Sequence, residues 1–308
     1  MTLHLVYNGK SGRGAASELP TLAAKVCEQH GVRLVLYPIL DPKSINLIAE
    51  KAVAAVTDES DVVAAAGGDG TIRAMAHAII RAHRSQSVKL AVIPCGTFNL
   101  FARAHEIPLD IEKALELALT GTAQAVRAGR MNDETFILNA SLGLYVQVIR
   151  ERREQAKRFG RHQIVAILSS LKTILGRHPS MKVTITRDGE ESTFETPLIF
   201  FGNNALQLGN LNLAVSECLN HDKLAMIVLG QLSTRKAVAL VARGALNSLD
   251  KSQDVESFCM TSCSIQLRKR QVRVALDGEL FTLPLPLSVQ SCPNAFRLVK
   301  APQQQSMA

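Results

Sequence analysis

Residues 67–71, Gly-Gly-Asp-Gly-Thr, combine residue types that suit phosphate chemistry. They follow an apolar run, Val62, Val63, Ala64, Ala65 and Ala66, and lead into a helix-like segment from Ile72. A buried strand that empties through glycines into a helix start can hold a phosphate. The glycines let backbone N–H groups approach the oxygens, and the helix N-terminus adds partial positive charge. Asp69 places a carboxylate where phosphate would sit, an arrangement that a divalent cation between the two groups reconciles. Each glycine adds unfolded-chain entropy that folding must overcome, so Gly67, Gly68 and Gly70 together argue against a plain strand-to-helix turn.

Three further elements carry polar groups at strand ends. Asn8-Gly9-Lys10-Ser11-Gly12-Arg13-Gly14 follows the first strand-like run. A P-loop requires glycine where His4 stands, and a dinucleotide fingerprint requires glycine where Ser17 stands. Ser11, Gly12 and the loop N–H groups remain candidates for phosphate contact, beside the plainer reading of a tight turn. In Pro94-Cys95-Gly96-Thr97-Phe98-Asn99-Leu100-Phe101-Ala102-Arg103, Thr97 and Asn99 can bond phosphate or cap the following helix. Arg103 reads as a phosphate clamp or a solvated helix residue, while Phe98, Leu100 and Phe101 are expected to pack inside. Leu276-Asp277-Gly278-Glu279-Leu280 joins two strand-like runs. It is an ordinary Asp-Gly hairpin unless its tip faces a phosphate, where a carboxylate can take the proton of an attacking alcohol.

The elements that position these groups alternate over the first 130 or so residues. Strands are expected at Leu3–Tyr7, Val32–Tyr37, Val62–Ala66 and Leu90–Ile93, with helices at Ala15–His30, Ser44–Val56, Ile72–His83 and Ile111–Thr120. This alternation predicts an α/β layer with a mostly parallel sheet, whose ligands bind at the carboxyl ends of strands. Strand-like runs then dominate: Phe136–Val148, Met181–Arg187, Thr193–Phe201, Leu224–Leu229, Ser264–Leu276 and Leu280–Leu285. Arg187-Asp188-Gly189-Glu190 reads as a hairpin turn, and Glu151–Leu175 and Ser233–Leu249 as helical insertions. The expected division is an α/β domain over 1–128, to which 295–308 returns through Arg297–Val299, and a largely antiparallel β domain over 129–294.

Of the 308 residues, 47% are hydrophobic, enough for one large or two ordinary cores. The net charge of +8 suits nucleic acid, an anionic membrane surface or a polyphosphate substrate. With no Trp and only 3 Tyr, base stacking is poorly supplied and no base-reading basic face is specified, so nucleic acid is not the expected partner. The six cysteines form no CxxC pair and the chain begins on a strand-like run rather than a leader, so reduced thiols in the cytoplasm are expected. Ile164–Leu175 is too short to cross a bilayer and contains Lys172. It adjoins Arg150, Arg152, Arg153, Lys157, Arg158, Arg161 and Arg177, so the region reads either as a peripheral contact with anionic lipid or as a solvated basic helix followed by a buried one.

Taken together, Asn-x-x-Ser-Gly, Gly-Gly-Asp-Gly-Thr, Gly-Thr-x-Asn-x-Phe-Ala and a late Asp-Gly-Glu resemble, in that order, the diacylglycerol kinase catalytic-domain family. That family also holds sphingosine and ceramide kinases and bacterial soluble lipid kinases. Gly-Gly-Asp-Gly-Thr is shared with NAD kinases, whereas the other two late elements point to the lipid branch. The resemblance implies an ATP-binding first domain like that of NAD kinase, a C-terminal largely antiparallel β-sandwich for the lipid, and reaction in the cleft. It implies nucleotide contacts from Gly67, Gly68, Gly70, Thr71, Gly96, Thr97 and Asn99, with Asn8, Ser11, Gly12 and the basic Arg13 on the first loop. Asp69 would organise Mg2+ and phosphate, Glu279 would accept the proton, and Asp277 would shape its field.

The same resemblance implies a structural metal in the second domain, for which Asp222 and the Leu224 carbonyl are the remaining ligands. Three positions depart from the family pattern: Gly9 replaces proline, Leu100 replaces the aspartate after Asn99, and Lys223 replaces glycine. The implied activity is ATP-dependent phosphorylation of a lipid hydroxyl in phospholipid metabolism, with diacylglycerol or a related glycerolipid as acceptor. The implied location is cytoplasmic and peripheral on the inner membrane face. The alternatives are a nucleotide- or lipid-binding regulator without catalysis and an NAD-kinase-like phosphotransferase. Neither the acceptor lipid nor the oligomeric state is encoded in these motifs.

Overall fold

The computed structural model describes residues 1–8, 15–150, 180–187, 189–204, 214–230 and 255–302. The expected hairpin residue Asp188 and the stretches Glu151–Leu175 and Ser233–Leu249 lie outside the described residues, as does all of the first loop except Asn8. The chain divides into two compact units, Met1–Ala128 with Pro293–Ala308, and Gly129–Cys292.

The first unit is built on parallel strands β1 (Thr2–Tyr7), β2 (Arg33–Pro38), β3 (Val62–Gly67) and β4 (Lys89–Pro94) in the order β2-β1-β3-β4. The end of β16 (Leu287–Lys300) joins parallel to β4 through Arg297 and Leu298. Every residue of β3 is buried, because helices cover both faces of this sheet. One face packs Leu3, Leu5, Ala64, Ala66, Ala91 and Ile93 against Leu19, Ala23 and Val26 of α1 (Ala15–Gln29) and Leu115 and Ala118 of α5 (Ile111–Thr120). Asp110 caps α5 by accepting the Lys113 N–H at 3.0 Å. On the other side, α2 (Ile45–Ala54) packs with α3 (Asp69–Arg81).

The second unit is antiparallel, as expected. A six-stranded sheet runs β12 (Val255–Met260), β11 (Leu224–Leu229), β10 (Leu198–Gly202), β7 (Asn139–Gly143), β14 (Gln271–Leu276), β15 (Glu279–Pro284). Facing it are β9 (Glu190–Thr196), β8 (Met181–Arg187), β13 (Ser262–Gln266) and the start of β16, paired in that order. The end of β5 (Thr122–Met131), from Gly129 onward, pairs with β6 (Glu134–Phe136) as a hairpin in this unit. Alternate residues of both layers, among them Val183, Ile185, Ile265, Leu287 and Val289 against Leu142, Ile199, Phe201, Met226 and Val274, fill one core.

Several expected runs are divided. Thr193–Phe201 splits at Pro197, which lacks a ladder N–H, and its two halves lie in different sheets. Ser264–Leu276 breaks at Arg268-Lys269-Arg270, where three successive cations stay exposed at the turn between the sheets. Phe136–Val148 yields the end of β6, then β7, and becomes helical over 144–150 after Gly143. The final strand is far longer than Arg297–Val299, β12 and β5 are additional to the expected runs, and the helix expected after Asn99 is the short α4 (Leu100–Ala104).

The reduced-thiol expectation is also corrected. Cys218, in the 3-10 segment Ala214–His221, is bonded to Cys259 on β12, with Cα atoms 5.3 Å apart. A separation of 41 residues conceals this proximity; register creates it, because Cys259 pairs with Ala225, and Ala225 shares a small apolar cluster with Cys218. Cys27, Cys95, Cys263 and Cys292 take part in no disulfide. In the loop-entropy account, closing a segment of this length stabilises by about 4 kcal/mol. Denaturant titration is expected to show that loss on reduction with a phosphine, while Cys259→Ser shows no further response to reductant. Equal midpoints with and without reductant in the parent protein would mean that the bond contributes nothing.

Candidate functional site

In the first unit the glycine turns lie at the carboxyl ends of β3 and β4, and their backbones touch. A Cβ placed on Gly96 would sit 2.6 Å from the Gly68 Cα, so no larger residue fits there without moving the neighbouring turn. A Cβ on Gly67 would stand 2.7 Å from the Thr71 Cβ, because the Thr71 side chain folds back over this position. The Cys95 N–H donates to the Gly67 carbonyl at 3.0 Å and extends the β3–β4 pairing to the edge of the turn. Gly68 forms the N-cap of α3 with extended backbone, and Gly68, Asp69 and Gly70 are half-exposed. The first N–H groups of such a helix have no intrahelical acceptor and face outward with the helix dipole behind them.

Asp69 joins the two turns. Its Oδ2 accepts the Leu100 N–H at 3.2 Å and its Oδ1 the Phe101 N–H at 3.0 Å, so one carboxylate starts α3 and terminates the open end of α4. A carboxylate has about four lone-pair positions, so these bonds leave acceptor capacity for a cation. The Leu100 substitution removes a side-chain carboxylate at this point, yet the residue's backbone N–H still serves the junction. Asn99 adopts left-handed backbone, φ 50, and its Oδ1 accepts the Gly96 N–H at 2.9 Å. Asn99 and Thr71 are both buried, while Thr97 is exposed.

Two expectations for this loop need correction. Phe101 is buried as expected, against Phe296 and His105, but Phe98 is 62% exposed. The alternation of the loop, with Asn99 in left-handed conformation, turns position 98 outward while 101 turns in. Arg103 is exposed but more than solvated: its Nε donates to the Phe98 carbonyl at 3.1 Å and braces the loop. Burial pushes the Cys95 thiol up to about 11, so it stays protonated near neutrality and is no nucleophile. Desolvation first, then the charges of Lys300 and Arg127, hold the His105 imidazole down to about 3, so it is neutral and serves packing rather than proton transfer.

In the second unit, Leu276 pairs with Glu279 across a two-residue turn in which Asp277 has φ 48 and Gly278 φ 80. Both values are those of a type I′ hairpin, which Asp-Gly supplies at little steric cost. The Asp277 carboxylate accepts three backbone N–H groups, from Ile137 at 2.8 Å, Leu138 at 2.8 Å and Asn139 at 2.9 Å, and its own N–H donates to the Asn139 carbonyl at 2.9 Å. Asp277 therefore fixes the hairpin to the start of β7. Glu279, half-buried, follows at a defined register. Asp277→Ala is expected to cost about 3–5 kcal/mol in unfolding free energy, since three donors lose a charged acceptor. Asp277→Asn, which tolerates the left-handed backbone, is expected to cost about 2 kcal/mol. Denaturant midpoints check both, and an unchanged midpoint in either variant would deny the carboxylate this role.

The Asp222 turn, also left-handed at φ 56, is held by the Lys223 N–H on the Cys218 carbonyl and by the Ser291 hydroxyl on the Asp222 carbonyl at 2.6 Å. Asp222 and Leu224 supply two oxygen donors, and among the described residues no group of three His, Cys, Asp or Glu gathers for a metal. Ser11, Gly12 and Arg13 lie outside the described residues, and the Asn8 N–H donates to the Ala66 carbonyl at 3.2 Å. Among the described residues, no helix is long and apolar enough to cross a membrane.

The family model of the diacylglycerol kinase catalytic domain matches residues 2–131. Diacylglycerol kinases of Staphylococcus aureus, from strains JH9 and Newman among others, are 36% identical over 154 residues, which is 50% of this chain and 47% of theirs. The chain thus spans about half the length of the curated relatives it matches. In fold, it is similar to a crystal structure of a diacylglycerol kinase from Bacillus anthracis str. Sterne, with a TM-score of 0.73 at 20% identity over 98% of this chain and 97% of that one. A further crystal structure from the same organism gives a TM-score of 0.75 over the same shares. The joined glycine turns lie within the segment, residues 2–131, that matches the diacylglycerol kinase catalytic-domain model.

Proposed function

We propose that this protein is an ATP-dependent lipid kinase, which transfers the γ-phosphoryl group to the primary hydroxyl of diacylglycerol or a related glycerolipid. The observation that carries this reading is Asp69, whose carboxylate ties the two glycine turns together at the start of α3 while retaining acceptor capacity. In this reading the N–H groups around Gly68, Asp69 and Gly70, with Thr97, bind the phosphates, Gly96 lets its turn approach them closely while its own N–H stays on Asn99, and Asn8, Ser11, Gly12 and Arg13 extend the nucleotide contact. Thr71 and Asn99 act from beneath by holding the turns in shape. Asp69 would hold Mg2+, which supplies neutralisation of the phosphate charge. Asp222 and Leu224 are retained as candidate ligands of a second cation, and no step of the reaction depends on them.

The lipid oxygen attacks the γ-phosphorus, the bond from that phosphorus to the β-bridging oxygen breaks, and the hydroxyl proton passes to Glu279. The chain's part is positioning and electrostatics, with Asp277 fixing the backbone that carries Glu279. The lipid-binding surface is assigned to the β-rich unit and the nucleotide to the α/β unit. The basic, apolar stretch from Arg150 to Arg177 is assigned to peripheral contact with the inner face of a membrane.

A transfer assay with γ-labelled ATP tests this reading. It would use diacylglycerol, monoacylglycerol, phosphatidylglycerol and sphingoid bases in turn, with Mg2+ titrated. Label in a glycerolipid, dependent on Mg2+, is the expected result. Leu100 favours one second reading, a nucleotide-binding regulator, because it lacks the carboxylate of the family pattern. Tight ATP binding with transfer to no lipid would establish that reading instead.

A further inference from the structure

We infer that Phe98 is the platform on which the nucleotide base stacks, an assignment that rests on the proposed ATP site and adds its base-recognition element. Phe98 is 62% exposed, the only aromatic among the large exposed apolar side chains of the described residues. Its loop is nevertheless held at several points. Arg103 Nε braces its carbonyl, the Asn99 side chain closes the loop onto the Gly96 N–H, and Asp69 takes the next two N–H groups. An aromatic ring kept in water on a braced backbone loses little conformational freedom when a flat ligand covers it, and it offers a large apolar face for that purpose.

Position and surroundings select the ligand. Phe98 stands two residues from Gly96, whose backbone abuts the Gly68 turn, and two residues reach at most about 7 Å. The ring therefore lies within a short span of the phosphate-binding N–H groups, where the base of a bound nucleoside triphosphate would be. Its immediate loop neighbours, Gly96, Thr97 and Asn99, are small or polar, and the other large exposed apolar residues among those described, Met1, Leu36, Leu40, Leu47 and Leu109, lie outside this loop. A lone ring in a polar frame suits a planar heterocycle better than a bilayer, which is gripped by a cluster of apolar groups. Aromatic stacking tolerates any base, so the platform supplies affinity for the nucleoside part without choosing between purines.

The chain contains no tryptophan, so Phe98→Trp introduces a single fluorophore at this position. Its emission is expected to be quenched saturably by ATP with Mg2+, unaffected by inorganic tripolyphosphate with Mg2+, and not blue-shifted by vesicles containing phosphatidylglycerol. By calorimetry, Phe98→Ala is expected to raise the Kd for ATP about 10-fold or more while leaving that for tripolyphosphate unchanged, and Phe98→Tyr to bind ATP as the parent does. Because the side chain is exposed, the melting temperature of each variant should match the parent. Unaltered ATP affinity in Phe98→Ala overturns the inference and spares the kinase reading, as does an equal loss for both ligands. A vesicle-induced blue shift without an ATP response assigns the ring to the membrane instead. If the parent protein binds neither ATP nor tripolyphosphate, the kinase reading falls and the platform falls with it.

Discussion

Asp69→Asn is expected to lower the single-turnover rate of phosphoryl transfer by about two orders of magnitude or more. The substitution acts in two ways that can be separated. Asparagine keeps one acceptor oxygen but turns an NH2 group toward the second of the two N–H donors, Leu100 and Phe101, which the carboxylate serves at 3.2 and 3.0 Å. One of these bonds is lost, and the junction between the starts of α3 and α4 loosens. That structural part should appear as about 1–2 kcal/mol in unfolding free energy. Loss of the negative charge adds a small further cost to stability, through the remaining charge-assisted bond and the start of α3, whereas its effect on Mg2+ and the phosphates enters the rate alone. A large fall in rate with only this modest fall in stability is therefore the signature of a cation-organising carboxylate. A fall in stability with near-parental turnover at saturating ATP would reduce Asp69 to a staple between two turns.

The alternation of the first unit was readable because buried parallel strands such as Val62–Gly67 are continuous apolar runs, and the glycines that end them are sparse elsewhere. The second unit was readable in kind but not in detail. In Thr193–Phe201 and Ser264–Leu276 the apolar alternation continues through a change of sheet, and hydrophobic period says which face is buried but not which layer a strand joins. Pro197 and the Arg268-Lys269-Arg270 run were the available signals of those breaks. The Cys218–Cys259 bond depends on register between β11 and β12, which spacing along the chain does not report.

At the site, residue types pointed to Asp69 and the Asp-Gly hairpin, but not to what Asp69 and Asp277 bind. Each carboxylate is spent largely on backbone N–H groups contributed by distant segments, 31 and 32 residues away for Asp69 and 138 to 140 for Asp277. The apolar character of Phe98, taken alone, points to the interior. The left-handed Asn99 that turns it outward is a conformation asparagine tolerates without announcing it.

Glu279→Gln is the other substitution expected to cost about two orders of magnitude or more in turnover, and it should do so with the fold intact. Glutamine matches glutamate in shape and can bond an alcohol, but it cannot take the proton. Position 279 opens β15 opposite Leu276, and the bonds that fix the turn come from Asp277, which the change leaves alone. Unfolding midpoints and ATP affinity are therefore expected to stay near those of the parent, while single-turnover transfer from labelled ATP to diacylglycerol in mixed micelles falls. This contrasts with Asp277→Asn, for which the midpoint falls first and any loss of rate follows from a displaced Glu279. If Glu279→Gln transfers phosphate within a few-fold of the parent, the hairpin is structural and the proton acceptor must be sought elsewhere. If both variants lose rate but only Asp277→Asn loses stability, one residue carries the chemistry and its neighbour the geometry, which is the division of labour the three N–H bonds to Asp277 imply.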